Sequence, residues 1–330
     1  MTLAAPTLTA ILGKDLRPNR QAFLEEEPGV QNERQPAKED AEIVEEGRSI
    51  GECVRSDPAA RSSIAIFVDG VESSATAGWY CGLPIRLAQV AAAAIRRDEK
   101  GEMAEVVAEA AQVTLLFPSM VDPEKHGELV DFCRAASIEP LPVELRTGEQ
   151  DWNLALRDHV REVRNRLECE VVRKAAERAN EQGWILADGR CPEASVAPTK
   201  YIVGLVKSHI RDYFTDEKMR DWILTLPAEH RTPVFRAARE EGARETFSWY
   251  LRLHESPDGP PWFGLIRLEM NDRQMAVQCA DELTSWVLAE RAPLSLPDNR
   301  YDRLLYPIRY IEQYLRSRQR SKWDLRALIG

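Results

Sequence analysis

Residues 62–70, SSIAIFVDG, form a short run that is apolar from Ile64 to Val68 and stops at Asp-Gly. Branched apolar residues without polar alternation predict a strand buried on both faces. Residues 184–189, WILADG, repeat the pattern. Side chains alternate along a strand, so Phe67 and Asp69 share one face, as do Leu186 and Asp188. As parallel neighbours about 4.8 Å apart, the two strands would bring Asp69 and Asp188 together at their carboxyl ends. Open α/β sheets bind ligands at that edge. A single Asp-Gly at a strand end is usually a turn. Two of them, each closing a fully apolar strand, leave the turn reading and the ligand reading both open.

Outward from these strands, helices and strands alternate. Residues 82–95 suit one or two further strands, 102–111 read as a helix, and 113–117 as a strand. Residues 122–137 are expected to be helical. Residues 151–182 carry the longest helical pattern: Leu156, Val160, Val163, Leu167 and Val171 recur at steps of three and four, so they share one face. Gly183 is placed to end that helix. Residues 200–207 read as a strand, followed by a helical stretch through Leu226. Residues 246–253 and 262–269 read as paired strands, and 272–290 and 303–319 as closing helices. This order predicts an α/β domain over 61–330, a mixed sheet flanked by helices. Residues 1–60 hold twelve acids against seven Lys or Arg and are broken by Pro28, Pro36 and Pro58. They predict an N-terminal extension of short helices or partial disorder.

The 330 residues are 44% hydrophobic and 30% charged, the composition of a soluble globular chain. No apolar stretch approaches the roughly 20 residues a membrane span needs. The N-terminus lacks a basic start and an apolar core, so a cytoplasmic location is expected. Six cysteines without a CxxC pair disfavour a zinc site. The net charge of −10 is unusual for a free-standing nucleic-acid binder, which ordinarily carries a basic footprint. The region 303–326 is the exception, with seven Lys or Arg against Glu312 and Asp324. That run is either a solvated helix face or a contact for a phosphate backbone.

Two adjacent carboxylates resist joint ionisation, and a divalent cation relieves the repulsion. Hard oxygen ligands in an open site suit magnesium or manganese. A third carboxylate is expected from the long helix. With Leu167 at the centre of its apolar face, Glu170 lies about 60° away and Glu168 about 100° away. The helical phase therefore favours Glu170, with Glu168 the alternative.

The succession VDG, a long helix bearing an acidic residue, a second DG strand and then YIVGLVKSH resembles the NurA family of nucleases. TFSWYLRL followed by PPWFGLIRLEM resembles that family's paired strands ending in Arg-x-Glu, and LLYPIRYIEQYL its final Tyr-Pro helix. The resemblance runs from residue 62 to about 315, and its specificity lies in the combined order. It implies a ribonuclease-H-like core and Mn2+- or Mg2+-dependent cleavage of DNA, as exonuclease or endonuclease. It also implies a homodimer working with a HerA-type hexameric DNA-translocating ATPase, in DNA repair or antiviral defence. By the same resemblance Asp69, Asp188 and Glu170 or Glu168 would hold the metal, and Lys207 a phosphate oxygen. The family commonly carries a histidine in the last helix. Here that stretch has none, and either Glu312 or Tyr314 would stand in or the position is vacant.

The expected activity is thus hydrolysis of DNA phosphodiesters, with Asp69, Glu170, Asp188 and Lys207 as the working residues. A nuclease-fold subunit that regulates the ATPase without catalysis is the alternative. A ribonuclease-H-like transposase is a weaker third reading, without a zinc module or helix-turn-helix to support it. The acidic segment 1–60 is expected to dock on the ATPase, and residues 1–55 to be removable without loss of the folded core.

Overall fold

The computed structural model describes residues 7–24, 40–49, 51–146, 151–178, 183–192, 201–208, 212–237, 245–255, 258–294 and 301–330. Helix α1 (Leu8–Leu12) and three short strands, β1 (Leu16–Pro18), β2 (Glu42–Ile43) and β3 (Val54–Arg55), lead into a meander of long strands. The meander comprises β4 (Ile64–Tyr80), β5 (Leu83–Arg97) and β6 (Met103–Pro118), all antiparallel. Helix α2 (Pro123–Ala136) and β7 (Glu139–Val143) precede the long helix α3 (Trp152–Arg178). Strands β8 (Trp184–Asp188) and β9 (Ile202–Val206) follow, parallel to β4 and to each other. Helix α4 (Glu217–Leu224) and the strands β10 (His230–Arg231), β11 (Phe235–Ala237), β12 (Thr246–Arg252) and β13 (Leu265–Met270) extend the far side. Helices α5 (Arg273–Glu290), α6 (Tyr306–Arg318) and α7 (Lys322–Ile329) close the chain.

Among the described residues the strands join one 13-stranded mixed sheet, ordered β2-β11-β12-β13-β9-β8-β4-β5-β6-β7 along its main path. The strand reading of 62–70 and 184–189 holds, including their parallel pairing: Phe67 lies beside Leu186 and Val68 beside Ala187. Helix α3 covers one face, packing Val160, Leu167 and Val171 on Ile66, Val68 and Ala92. Helices α5 and α6 cover the other, packing Leu283, Val287 and Ile311 on Phe67, Ala93 and Leu186. Each such Val, Leu, Ile or Phe side chain contributes roughly 1.5–3 kcal/mol by leaving water. Burial on both faces explains why these strands are apolar at every position.

Two expectations are corrected. Residues 102–111 are not helical; they begin β6, which runs unbroken through 113–117. Glu and Ala favour a helix locally, but this segment supplies the partner that β5 needs. Ala91 faces Ala111, Ala92 faces Ala110 and Ala94 faces Ala108, and on the α3 side Ala92, Ala94, Ala108 and Ala110 let the helix lie close to the sheet. Tertiary packing overrides local propensity here. The described part of 1–60 is likewise not a separate tail. Leu8, Leu12, Leu16 and Phe23 are buried with Leu325 and Ile329 of α7, and the Thr9 hydroxyl donates to the Ile329 carbonyl at 2.6 Å. Strand β1 pairs with the end of β4 and β2 with β11. Removing 1–55 would therefore strip apolar surface from a shared core.

Helix α3 spans Trp152–Arg178, and the expected continuation over 179–182 lies outside the described residues, as do residues 256–257 between the paired strands read at 246–253 and 262–269. Among the described residues no helix is long and apolar enough to cross a membrane.

Candidate metal centre

Strand β8 stops at Asp188 while its neighbour β4 continues to Tyr80, which leaves a step in the carboxyl edge of the sheet. Phe67 and Leu186 pack towards α5 and α6, so the period of two places Asp69 and Asp188 on that same side. Gly189, at φ 110°, turns the chain away in a conformation that a side chain would resist. Its N–H donates to the Leu205 carbonyl at 2.8 Å, fixing the turn against β9. Asp188 pairs with Leu205 in register. Lys207 is two residues further on the same face, and its Nζ reaches Asp188 Oδ2 at 2.7 Å.

Glu168 reaches this edge from α3, over Gly70. A Cβ on Gly70 would lie 2.2 Å from Glu168 Oε1. The glycine leaves room for that carboxylate: β4 runs straight through it, so of the two readings left open at Asp69-Gly70 the turn is not made. Arg164, one turn back on α3, sets its guanidinium between Glu168, at 3.3 Å, and Glu72, at 3.5 Å.

The arrangement concentrates negative charge in a shielded place. Burial pushes the Asp69 carboxyl well above the usual range, and the field of Asp188 adds to it. Lys207 and the Gly70 N–H, which donates to Asp69 Oδ1 at 2.8 Å, act in the opposite sense. Burial also raises Glu168, to about 7; Arg164 opposes the shift, while Asp188 and Glu72 reinforce it. Asp69, Glu168, Asp188 and Lys207 line one cavity of about 630 Å3 that opens to solvent.

The turn behind Asp188 has a buried support that sequence reasoning missed. Glu269 on β13 accepts from the Cys191 N–H at 2.7 Å and is held by Arg267 at 2.7 Å. Both charged side chains are almost wholly buried. Gly204 of β9 leaves the space into which Cys191 packs, since a Cβ there would meet the Cys191 nitrogen at 2.3 Å. These two residues are the Arg-x-Glu pair of the sequence. Read singly, they are charges in a strand, and only the pairing of β13 with β9 shows what they hold.

The remaining candidates lie elsewhere. Glu170, favoured by helical phase, points away from the cavity and pairs with Lys174 at 2.6 Å. The cause is the burial of Val172 and Ala175, which rotates the contact face of α3 towards the side of Glu168 and away from Glu170. Glu312 pairs with Arg316 at 2.8 Å on the exposed side of α6. The Tyr314 hydroxyl donates to Glu109 at 2.7 Å. Neither lines the cavity, so neither replaces a histidine there. His126 packs edge-on against Phe117, and His159, His230 and His254 each bond a backbone carbonyl. His209 lies outside the described residues.

Among the described residues no three His, Cys, Asp or Glu side chains already converge on a single ion position. In this arrangement the cation beside Asp188 is the ammonium of Lys207. No protein-family profile matches the chain, and comparison with curated proteins gives no match.

Proposed function

We propose that this chain is a divalent-metal-dependent DNA nuclease with a ribonuclease-H-like core, similar to the NurA family. The observation that carries the reading is that Asp69, Asp188 and Glu168 line one cavity at the step where β8 ends beside β4. An antiparallel meander extended by two parallel strands, with a long helix crossing between them, is compatible with such a core.

The residues fit Mg2+ or Mn2+. The donors are carboxylate oxygens, which hard cations prefer. Buried Asp69 stands in the field of two other carboxylates, an excess of negative charge that a divalent cation answers. Asp69, Asp188 and Glu168 would hold it. Bound there, such ions supply charge neutralisation and an acidified water for phosphodiester hydrolysis. The chain's own residues do the rest. The Gly70 N–H orients Asp69. Glu269 and Arg267 fix the turn after Asp188. Lys207, released from Asp188, offers a point charge to a non-bridging phosphate oxygen.

In the same reading the protein works as a homodimer with a HerA-type hexameric ATPase, in DNA repair or antiviral defence. A partner that grips DNA accounts for the chain's own charge of −10. The second reading, a nuclease-fold subunit that regulates the ATPase without catalysis, draws on the Lys207–Asp188 ion pair, which meets one carboxylate internally. Calorimetric titration of Mn2+ into chelator-treated protein separates the two. Saturable binding that disappears in Asp69→Asn supports the nuclease; absence of binding supports the regulatory subunit.

A further inference from the structure

Helix α6 runs along the face of the sheet that carries Asp69 and Asp188. Just before it, the Arg303 guanidinium donates to the backbone carbonyl of Lys207. At its other end the Arg320 N–H donates to Gln89 of β5 at 3.1 Å. The helix therefore spans about 20 Å away from the cavity. Its outer surface is aromatic and basic in a chain that is acidic overall. Tyr306 and Tyr310, one turn apart, are 56% and 46% exposed, and Trp323 of α7 is 68% exposed. The guanidinium of Arg318 lies 5.5 Å from the Tyr314 ring and that of Arg326 5.2 Å from the Trp323 ring.

A second cavity, of about 370 Å3, opens where α6 ends, lined in part by Gln89, Glu109, Arg318, Gln319 and Arg320. The side-chain nitrogen of Gln319 is buried there without a hydrogen-bond partner. Exposed rings are poor solvent-facing residues for a solitary helix, and arginines alone would suit any anion. Flat rings interleaved with guanidinium groups suit a ligand with both phosphates and exposed bases. Paired bases hide their faces within the duplex stack, whereas a single strand presents them.

We infer that the outer face of α6 and α7 is a track for single-stranded nucleic acid, leading from the Arg320 cavity past Tyr310 and Tyr306 to the step at Asp188. The inference rests on the nuclease reading for its direction but not for its binding surface. Bases stack on Tyr306, Tyr310 and Trp323, Arg320 and Arg318, the latter released from the Glu109 carboxylate it pairs with at 3.1 Å, meet phosphates, and the buried Gln319 nitrogen finds an acceptor on a base or sugar.

The test is fluorescence anisotropy of a labelled single-stranded oligothymidylate with the full chain in chelator, so that cleavage plays no part. Tyr306→Ala with Tyr310→Ala should weaken binding at least about tenfold. Tyr306→Phe with Tyr310→Phe should restore it, because the rings and not the hydroxyls carry the stacking. A duplex of equal length should bind more weakly and be indifferent to these changes. Unchanged affinity in the alanine variant overturns the track, as does a wild-type protein that binds no single strand. If the alanine substitutions alter self-association and not DNA affinity, the face is a protein interface and the inference fails. Cleavage by wild type with Mn2+ and unchanged single-strand affinity in the alanine variant would leave the nuclease reading standing and the track refuted. Ring-dependent binding without cleavage under any metal would do the reverse.

Discussion

The carboxylate of Glu168 occupies the space that a side chain at position 70 would fill, 2.2 Å from where that Cβ would sit. This contact joins α3 to β4 at the step beside Asp188 and selects between the two glutamates. Glu168→Gln should therefore lose most Mn2+-dependent cleavage, and Glu170→Gln should keep nearly all of it. Measured kcat/KM on a labelled DNA end decides the matter. A deficit in Glu170→Gln with a normal Glu168→Gln would reinstate the rotation read from helical phase and reject the geometry.

The same contact makes Gly70 a probe of position. The three nearest atoms that an added methyl would meet belong to the flexible Glu168 side chain, so the strand can accept alanine once that carboxylate swings away. Gly70→Ala should change unfolding free energy by no more than about 1 kcal/mol, while Mn2+ affinity falls at least tenfold. Calorimetry and thermal melts on one preparation separate the two effects. Wild-type affinity in a folded Gly70→Ala protein would remove Glu168 from the site.

The raised pKa of Glu168 gives a pH dependence with a definite sign. Burial, opposed by Arg164 and reinforced by Asp188 and Glu72, lifts it from 4.5 to about 7. The fold then binds this proton more tightly than the unfolded chain does. Its contribution to stability is complete below about 4.5 and is lost as pH rises through about 7. Metal-free Glu168→Gln stays neutral throughout, so its melting temperature should exceed that of wild type above pH 7 and converge with it below about 4.5. Asp69 is common to both proteins but is itself raised in part by the field of Glu168, so the difference reports Glu168 together with that coupling. Parallel pH profiles would show that Glu168 is not buried as the fold requires.

What was legible in the sequence follows from where the information lies. Asp69 and Asp188 each close a run of apolar residues, and the period of two fixes their face before any partner is known. Lys207 was expected from the family resemblance alone, and the register of β8 on β9 is what puts it beside Asp188. Glu168 could not be chosen from Glu170 because the rotation of α3 depends on Val172 and Ala175 packing against a sheet that the helix sequence does not contain. Residues 102–111 misread as a helix because β6 owes its strand conformation to β5. Leu8, Leu12 and Leu16 were hidden in an acidic, proline-broken segment. They are core residues because α2 and α7, both remote in sequence, come to cover them. Arg267 and Glu269 became intelligible once Cys191 was seen beside them.

The central claim is that Asp69 and Asp188 together hold the metal for phosphodiester hydrolysis. The most direct measurement is release of labelled nucleotide from a DNA end by the purified chain in Mn2+, alone and with a HerA-type ATPase, beside Asp188→Asn. Wild type should cleave, chelator should stop it, and Asp188→Asn should fall by at least about a thousandfold while melting within a few degrees of wild type. Cleavage by Asp188→Asn at the wild-type rate, or wild-type cleavage that survives chelation, would contradict the account.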